Sequence, residues 1–275
     1  MILFRQFNVN GINSFMSKEF QTQATKIKGY GWKRSLPDFR DFMYSPPHTL
    51  TALPPVVDLR PGCPAIYDQG SLGSCTAQAI GGLSEFLMKK QGKVPFTPSR
   101  LFIYYNERVL EGTVNEDAGA TIRSGFKVIN QLGNPHEALW WYDISKFRTR
   151  PNRKVYADGL NYQVLRYTRV NHADLYAMRA CLNSGFPIVG GFAVFQSFES
   201  STVTRTGIVP MPKRSERMLG GHAIMVFGYD DTKQMFIVRN SWGTGWGQKG
   251  YCMMPYLYLT NTQLADDFWT GTFIE

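Results

Sequence analysis

Cysteine, histidine and long apolar runs are all scarce in this chain, and each scarcity narrows what it can be. Four cysteines, at positions 63, 75, 181 and 252, and four histidines occur in 275 residues. If Cys75 has to stay a free thiol, three cysteines remain, so a fully paired disulfide framework within one chain is impossible, although one bridge is allowed. Such usage favours a largely reducing compartment. The cysteines and histidines show no metal-ligand spacing such as paired Cys-x-x-Cys, so no metal and no cofactor are expected. The most apolar stretch, Phe186 to Phe195, contains proline and glycine and, at about ten residues, is too short to cross a bilayer. The start, MILFRQFNVNGINSF, has a basic residue inside its apolar run and no small-residue cleavage site. No secretory signal is therefore expected, and the expected location is cytoplasmic or particle-associated.

What is present is enough for a sizeable core. Hydrophobic residues make up 43% and charged residues only 19%, which describes a folded protein of one large domain or two apposed halves. The net charge of +9 is scattered. Its densest groups, Lys26/Lys28/Lys33/Arg34 and Arg148/Arg150/Arg153/Lys154, sit beside glycine or proline in expected surface loops. No helix carries a basic stripe, so nucleic acid is not an expected partner. Oligomeric state is not legible.

Residues 1–54 are polar, rich in Gly, Asn and Gln, and end in a proline-containing run. They read as an extension with little regular structure, docked on the main domain, residues 55–275, through Trp32, Leu36, Phe39, Phe42 and Tyr44. From Cys75 to about Gln91, Ala79, Ile80, Leu83, Phe86 and Leu87 recur at helical spacing, and Gly92 supplies a stop. Two further helices are predicted near Ser99–Leu110 and Thr121–Leu132. Strands are predicted at Phe186–Phe195, Ala223–Tyr229, Met235–Arg239 and Gly250–Pro255. Helices come first and strands second, an α+β arrangement with two lobes.

A thiol in the first turn of a helix meets the positive end of the macrodipole and unpaired N–H groups, both of which favour thiolate. Position alone does not settle whether Cys75 is a nucleophile or simply a small buried residue. A cysteine nucleophile also needs a base, and the base an orienting partner. His48, His136 and His172 read as surface or capping residues. His222, in GGHAIMVFGYDD, stands at the head of a predicted strand behind two glycines that let a ligand backbone come close. Asn240, 18 residues on in RNSWGTGWGQKGY, returns beside it through a strand-turn-strand path. A neutral amide there can fix the imidazole, and Trp242 is suited to cover that contact.

Together these segments resemble the papain-like cysteine peptidases. The family's Gln-Gly...Gly-Ser-Cys element is matched by Gln69, Gly70, Gly73, Ser74 and Cys75, its His-Ala strand by His222 and Ala223, and its Asn-Ser-Trp-Gly by Asn240 to Gly243. A closer likeness is to a divergent branch known from bacteria, archaea and large DNA viruses. Its lead-in is matched by Gly31, Trp32, Leu36, Pro37, Asp38, Arg40 and Asp41, and its later elements from Asp58 and Asp68. The resemblance implies a two-lobed papain-like fold, with Cys75 on the helical lobe and His222 and Asn240 on the β-rich lobe. It implies a protein or peptide substrate, a Cys75 thiolate paired with a His222 imidazolium, and an oxyanion held by Gln69 and the Cys75 N–H. It carries Gly119 over to the substrate backbone, since Asp117-Ala118-Gly119-Ala120 stands where the family has Gly-Gly, and Gly221 over as a carbonyl acceptor.

Leu72 stands where relatives often have a cysteine, and Thr76 replaces the usual aromatic; with about 54 residues before the body, the long helical propeptide of most relatives is not expected. Residues 1–54 are expected to occlude the cleft until displaced or cleaved, as in a zymogen. Two other classes stay open at this point: acyl transfer as in transglutaminase-like enzymes, and an inactive peptide-binding protein on the same scaffold.

Overall fold

The computed structural model describes residues 29–47 and 52–274. His48, Lys26 and Lys28, together with most of the extension, lie outside the described residues. Seven helices occur among the described residues: α1 (Cys75–Lys90), α2 (Arg100–Leu110), α3 (Ile122–Gln131), α4 (Arg153–Gly159), α5 (Leu175–Asn183), α6 (Ser201–Thr206) and α7 (Tyr256–Thr260). The predicted helical residues of α1 are buried, and Lys89 and Lys90 fall in its last turn, where the macrodipole favours cations. Ser99 and Thr121 cap α2 and α3, their hydroxyls accepting from the N–H of Phe102 and Ser124.

Seven strands form one antiparallel sheet: β1 (Val56–Asp58), β2 (Val164–Arg169), β3 (Ile188–Phe195), β4 (Met218–Asp230), β5 (Met235–Arg239), β6 (Tyr251–Pro255) and β7 (Ala265–Ile274). Their order is β2-β7-β3-β4-β5-β6, with β1 on β4. Along β4, Ala223, Met225 and Phe227 enter a core shared with α1, α2 and α3, while Ile224 and Val226 enter a second core with β3, β5 and α7. A strand buried on both faces reads as a continuous apolar run, and alternation is hidden. The two cores are the expected helical and β-rich lobes.

His222 is inside β4, not at its head. Gly220 and Gly221 already pair with Val194 and Ala193 of β3, so the strand begins four residues earlier, at Met218. Strands β2 and β7 were not expected from the pattern. The first carries two arginines, and the second bends at Asp267, whose φ is 65°.

The stretch 29–47 has little regular structure, as expected, yet its docking is corrected in detail. Trp32 is buried, but Leu36, Phe39 and Phe42 are exposed. The chain here is held by main-chain bonds and ion pairs instead. Tyr44 N–H donates to Arg169 O at 2.8 Å, and Arg169 N–H donates to Phe42 O at 2.7 Å. The Asp41 carboxylate takes Arg123 in a two-pronged contact, and Ser35 Oγ donates to Asp267 Oδ2 at 2.8 Å. With polar side chains making the anchors, the apolar ones face outward.

Candidate active site

Cys75 opens α1. The preceding Ser74 does not cap the helix with its hydroxyl, which contacts Tyr142 OH at 2.5 Å and accepts from Gln78 Nε2 at 3.1 Å. No capping side chain competes for the first-turn N–H groups, so their partial positive charge stays at the sulfur's end of the helix. Thr76 turns inward and donates to Glu107 Oε2 at 2.8 Å. Cys75 is fully buried, and burial pushes its thiol up to about 12 from 9.0. The backbone N–H groups of Ala223, Gly31 and Thr76 act the other way. The sulfur therefore lies against the residue that follows His222, across the junction of the two cores.

His222 Nε2 meets Asn240 Oδ1 at 2.8 Å. That same oxygen accepts from Ser241 N–H at 2.8 Å, which fixes the amide's orientation. An oxygen cannot donate, so Nε2 carries the ring proton and Nδ1 keeps its lone pair. Nδ1 is buried with no hydrogen-bond partner among the described residues. Burial lowers His222 to about 4 from 6.5, with Asn240 opposing. Trp242 packs on the imidazole with ring centroids 5.1 Å apart, and Phe192 and Phe198 close the other sides.

Gln69 is braced from the same turn. Ser241 Oγ donates to Gln69 Oε1 at 2.7 Å, and Gln69 N–H donates to Ser241 O at 2.9 Å. This turns Nε2 outward, where it reaches Gly29 O at 2.8 Å and Leu72 O at 2.9 Å. The sequence reading gave Ser241 no role, although it lies within the Asn-Ser-Trp-Gly motif.

Residues 29–33 run through these groups. Trp32 N–H donates to Gly221 O at 3.0 Å; Lys33 N–H donates to Ala120 O at 3.0 Å; and Ala120 N–H donates to Gly31 O at 2.7 Å. The Trp32–Ala120 bridge is parallel. Main-chain pairing thus falls on Ala120, and Gly119 makes room for it. At Gly119, with φ of 68°, a Cβ would lie 2.0 Å from Gly31 O.

Small and large residues alternate in this segment and find complementary walls. A Cβ at Gly31 would meet Gly73 O at 1.7 Å, and one at Gly29 would meet Ser71 O at 2.6 Å. The aromatics point the other way, onto glycines of the body: Tyr30 onto Gly220, and Trp32 onto Gly191 and Gly221. Tyr30 also donates its hydroxyl to Glu199 and lies edge-on to His222 and Trp242. Asp117 was not foreseen either. Its carboxylate accepts from Gly73 N–H at 3.1 and 3.0 Å and from Tyr104 OH, bracing the wall that Gly31 touches.

The other described histidines stand apart from this cluster. His136 contacts Asp158 at 2.9 Å and stacks on Phe96. His172 is not a surface or capping residue: it is buried and stacked on Phe268, while Asp174 caps α5. The four cysteines are free thiols, and no group of three or more His, Cys, Asp or Glu among the described residues is placed to hold a metal ion. No helix among them is long and apolar enough to cross a membrane.

Comparison with known proteins agrees with this geometry. Residues 53–266 match the family described as papain family cysteine protease. An uncharacterized peptidase C1-like protein of Acanthamoeba polyphaga mimivirus is 41% identical, over 90% of this chain and 87% of its own length. Among solved structures, Xylellain, a cysteine protease from Xylella fastidiosa, superposes with a TM-score of 0.85 at 42% identity, covering 91% of this chain and 98% of that one. Digestive procathepsin L 3 of Tenebrio molitor, at 18% identity and a TM-score of 0.67 over 90% of this chain and 77% of its own, shares the fold. The chain belongs to the papain family of cysteine peptidases.

Proposed function

We propose that Cys75 is the nucleophile of this peptidase, His222 its base and acid, Asn240 the group that sets the ring and Gln69 an oxyanion donor, and that the N-terminal extension covers them until displaced. The fixed tautomer carries the catalytic half: Asn240 Oδ1 holds Nε2–H, which leaves Nδ1 as the site for the thiol proton. In an open cleft the proton passes from Sγ to Nδ1, and the sulfur adds to a peptide carbonyl carbon while its π pair moves to oxygen. Gln69 Nε2 and the Cys75 N–H hold that oxyanion, and one such donor is worth about 2.7–4 kcal/mol in the transition state. The tetrahedral centre then expels the amine, which takes the Nδ1 proton, and leaves a thioester. Water gives a proton to Nδ1 as it adds, the acid departs and the thiol is restored. Gly221 O and the Gly119–Ala120 edge hold substrate backbone, and Trp242 keeps water from the His222–Asn240 bond.

Covering without being cleaved follows from which atoms the segment presents. Gly31 offers the sulfur an N–H, not a carbonyl carbon, and the carbonyl within reach of Gln69 belongs to Gly29. Attack and oxyanion stabilisation thus fall on different peptide units. Burial beneath the segment also favours the neutral thiol and the neutral imidazole, which disarms the pair.

The test compares Trp32→Ala, in which the cover is loosened, with Trp32→Ala/Cys75→Ala on a denatured protein substrate in the presence of an added amine. New amino termini are expected from the variant that keeps Cys75 only. Incorporation of the amine without new termini would replace hydrolysis by acyl transfer, and equal cleavage by the variant lacking Cys75 would remove the assignment.

A further inference from the structure

The contacts that anchor the extension border a second opening in the molecule. Asp41 meets Arg123, and Met43 pairs with Arg169 in a parallel bridge. Beside them lies a cleft of about 710 Å³, with residues 38–43 on one side and α3, β2 and Trp269 of β7 on the other. None of the residues placed around Cys75 and His222 lines it. Small-molecule sites span about 300–1,000 Å³, so the space suits a compact organic ligand.

The chemistry of the walls narrows that ligand. Phe42 and Met43 line the cleft from the extension, and Tyr167 and Trp269 line it from the body. Phe42 is 79% exposed and Met43 54%, so apolar surface stands uncovered at its edge. Rings on both sides suit a planar apolar body. The charges of the lining do not cancel. Asp38 takes Arg40 at 2.7 Å, and Asp41 takes Arg123. Lys127 and Arg166, also in the lining, have no partner among the described residues. Two spare cations beside aromatic walls call for an anionic group on an apolar frame.

We propose that this cleft is a regulatory site for an aromatic carboxylate, whose binding clamps the extension over Cys75. Lys127 and Arg166 take the carboxylate, and Phe42, Tyr167 and Trp269 take the ring. A ligand that touches both walls loses part of its contacts once residues 38–43 depart. It therefore binds the covered state and favours it by a factor of one plus ligand concentration over Kd. The site goes beyond the peptidase reading, since the accessibility of a thiol reports the cover whether or not that thiol cleaves peptides.

The test uses the full-length protein with naphthalene-2-carboxylate as probe, and the uncharged naphthalene-2-carboxamide and acetate as controls. Calorimetry should give the carboxylate a Kd of roughly 1 mM or below, as its number of heavy atoms implies. Each control should bind at least about fivefold more weakly, one lacking the charge and the other the ring. Alkylation of Cys75 by iodoacetamide should fall to half when free probe equals that Kd, and about elevenfold at ten times the Kd. Lys127→Gln/Arg166→Gln and, separately, Phe42→Ser should alkylate at the unaltered rate without probe, yet lose most of the binding and of the protection. Equal binding of carboxylate and carboxamide, no heat with the carboxylate, or binding that leaves alkylation unslowed would overturn the inference. Protection that survives in Lys127→Gln/Arg166→Gln would place the probe over Cys75 itself and overturn it too. None of these readouts involves peptide cleavage, so a failure of the peptidase reading is seen separately.

Discussion

Replacing Trp32 by alanine should uncover Cys75, the proposed nucleophile, and the size of the effect follows from two features. Trp32 is only 7% exposed, and removing a large buried side chain costs about 3–5 kcal/mol in a protein core. The main-chain bonds of Trp32 and Lys33 and the ion pairs of Asp41 survive the change, so the lower figure is the better guide. About 3 kcal/mol shifts the covered-to-open ratio roughly a hundredfold. Only open molecules react appreciably, because under cover the sulfur is fully buried and its thiol is pushed up to about 12. The assay is iodoacetamide alkylation followed by peptide mass spectrometry, with buried Cys181 and Cys252 as internal references. Alkylation of Cys75 should accelerate by about two orders of magnitude while the references stay slow. A rise of less than about threefold in a folded variant would refute the view that burial of this indole holds the cover down.

Acid should loosen the cover. His222 stands near 4 in the covered state against 6.5 for an exposed imidazole, so its contribution to closure is fully present above 6.5 and is lost as pH falls towards 4. The loss is read as falling protection of the Trp32 and Lys33 amides in hydrogen exchange corrected for intrinsic rates, and a flat profile would contradict it. Breaking an anchor should act in the same direction with less force. Asp41→Asn leaves Arg123 without its ion-pair partner and Arg169 with Asp266 alone, so trypsin should cut at Arg34 or Arg40 about tenfold faster, and an unchanged rate would show that the anchor contributes nothing.

The cluster proposed as the catalytic set was legible because each member lies in a short motif with its own physical signature. Cys75 follows a glycine-serine turn and begins an apolar helical pattern, His222 follows two glycines into a buried strand, and Asn240 opens a turn behind another strand. The outward faces of Leu36, Phe39 and Phe42 were not legible, because apolarity does not reveal which side a chain presents when main-chain bonds and charges hold it. Pairing through Ala120 instead of Gly119 was hidden for a similar reason: a glycine can open space for a neighbour as well as bond for itself. The bracing by Ser241 and Asp117 depends on contacts between residues 172 and 44 positions apart, which local sequence cannot display.

The alternation Gly29-Tyr30-Gly31-Trp32 also sets the frame in which this segment lies. A slip by one residue would drive an aromatic ring into a slot that has no room for even one methyl group beside Gly73 and Gly119, and would leave both recesses over Gly220 and Gly191 with nothing in them. Sliding is thereby forbidden in either direction, so the strap comes off whole or stays on. A single inserted or deleted residue between Tyr30 and Ser35 would act as a frameshift in space, separating the aromatic plugs from the salt-bridged clasp at Asp41.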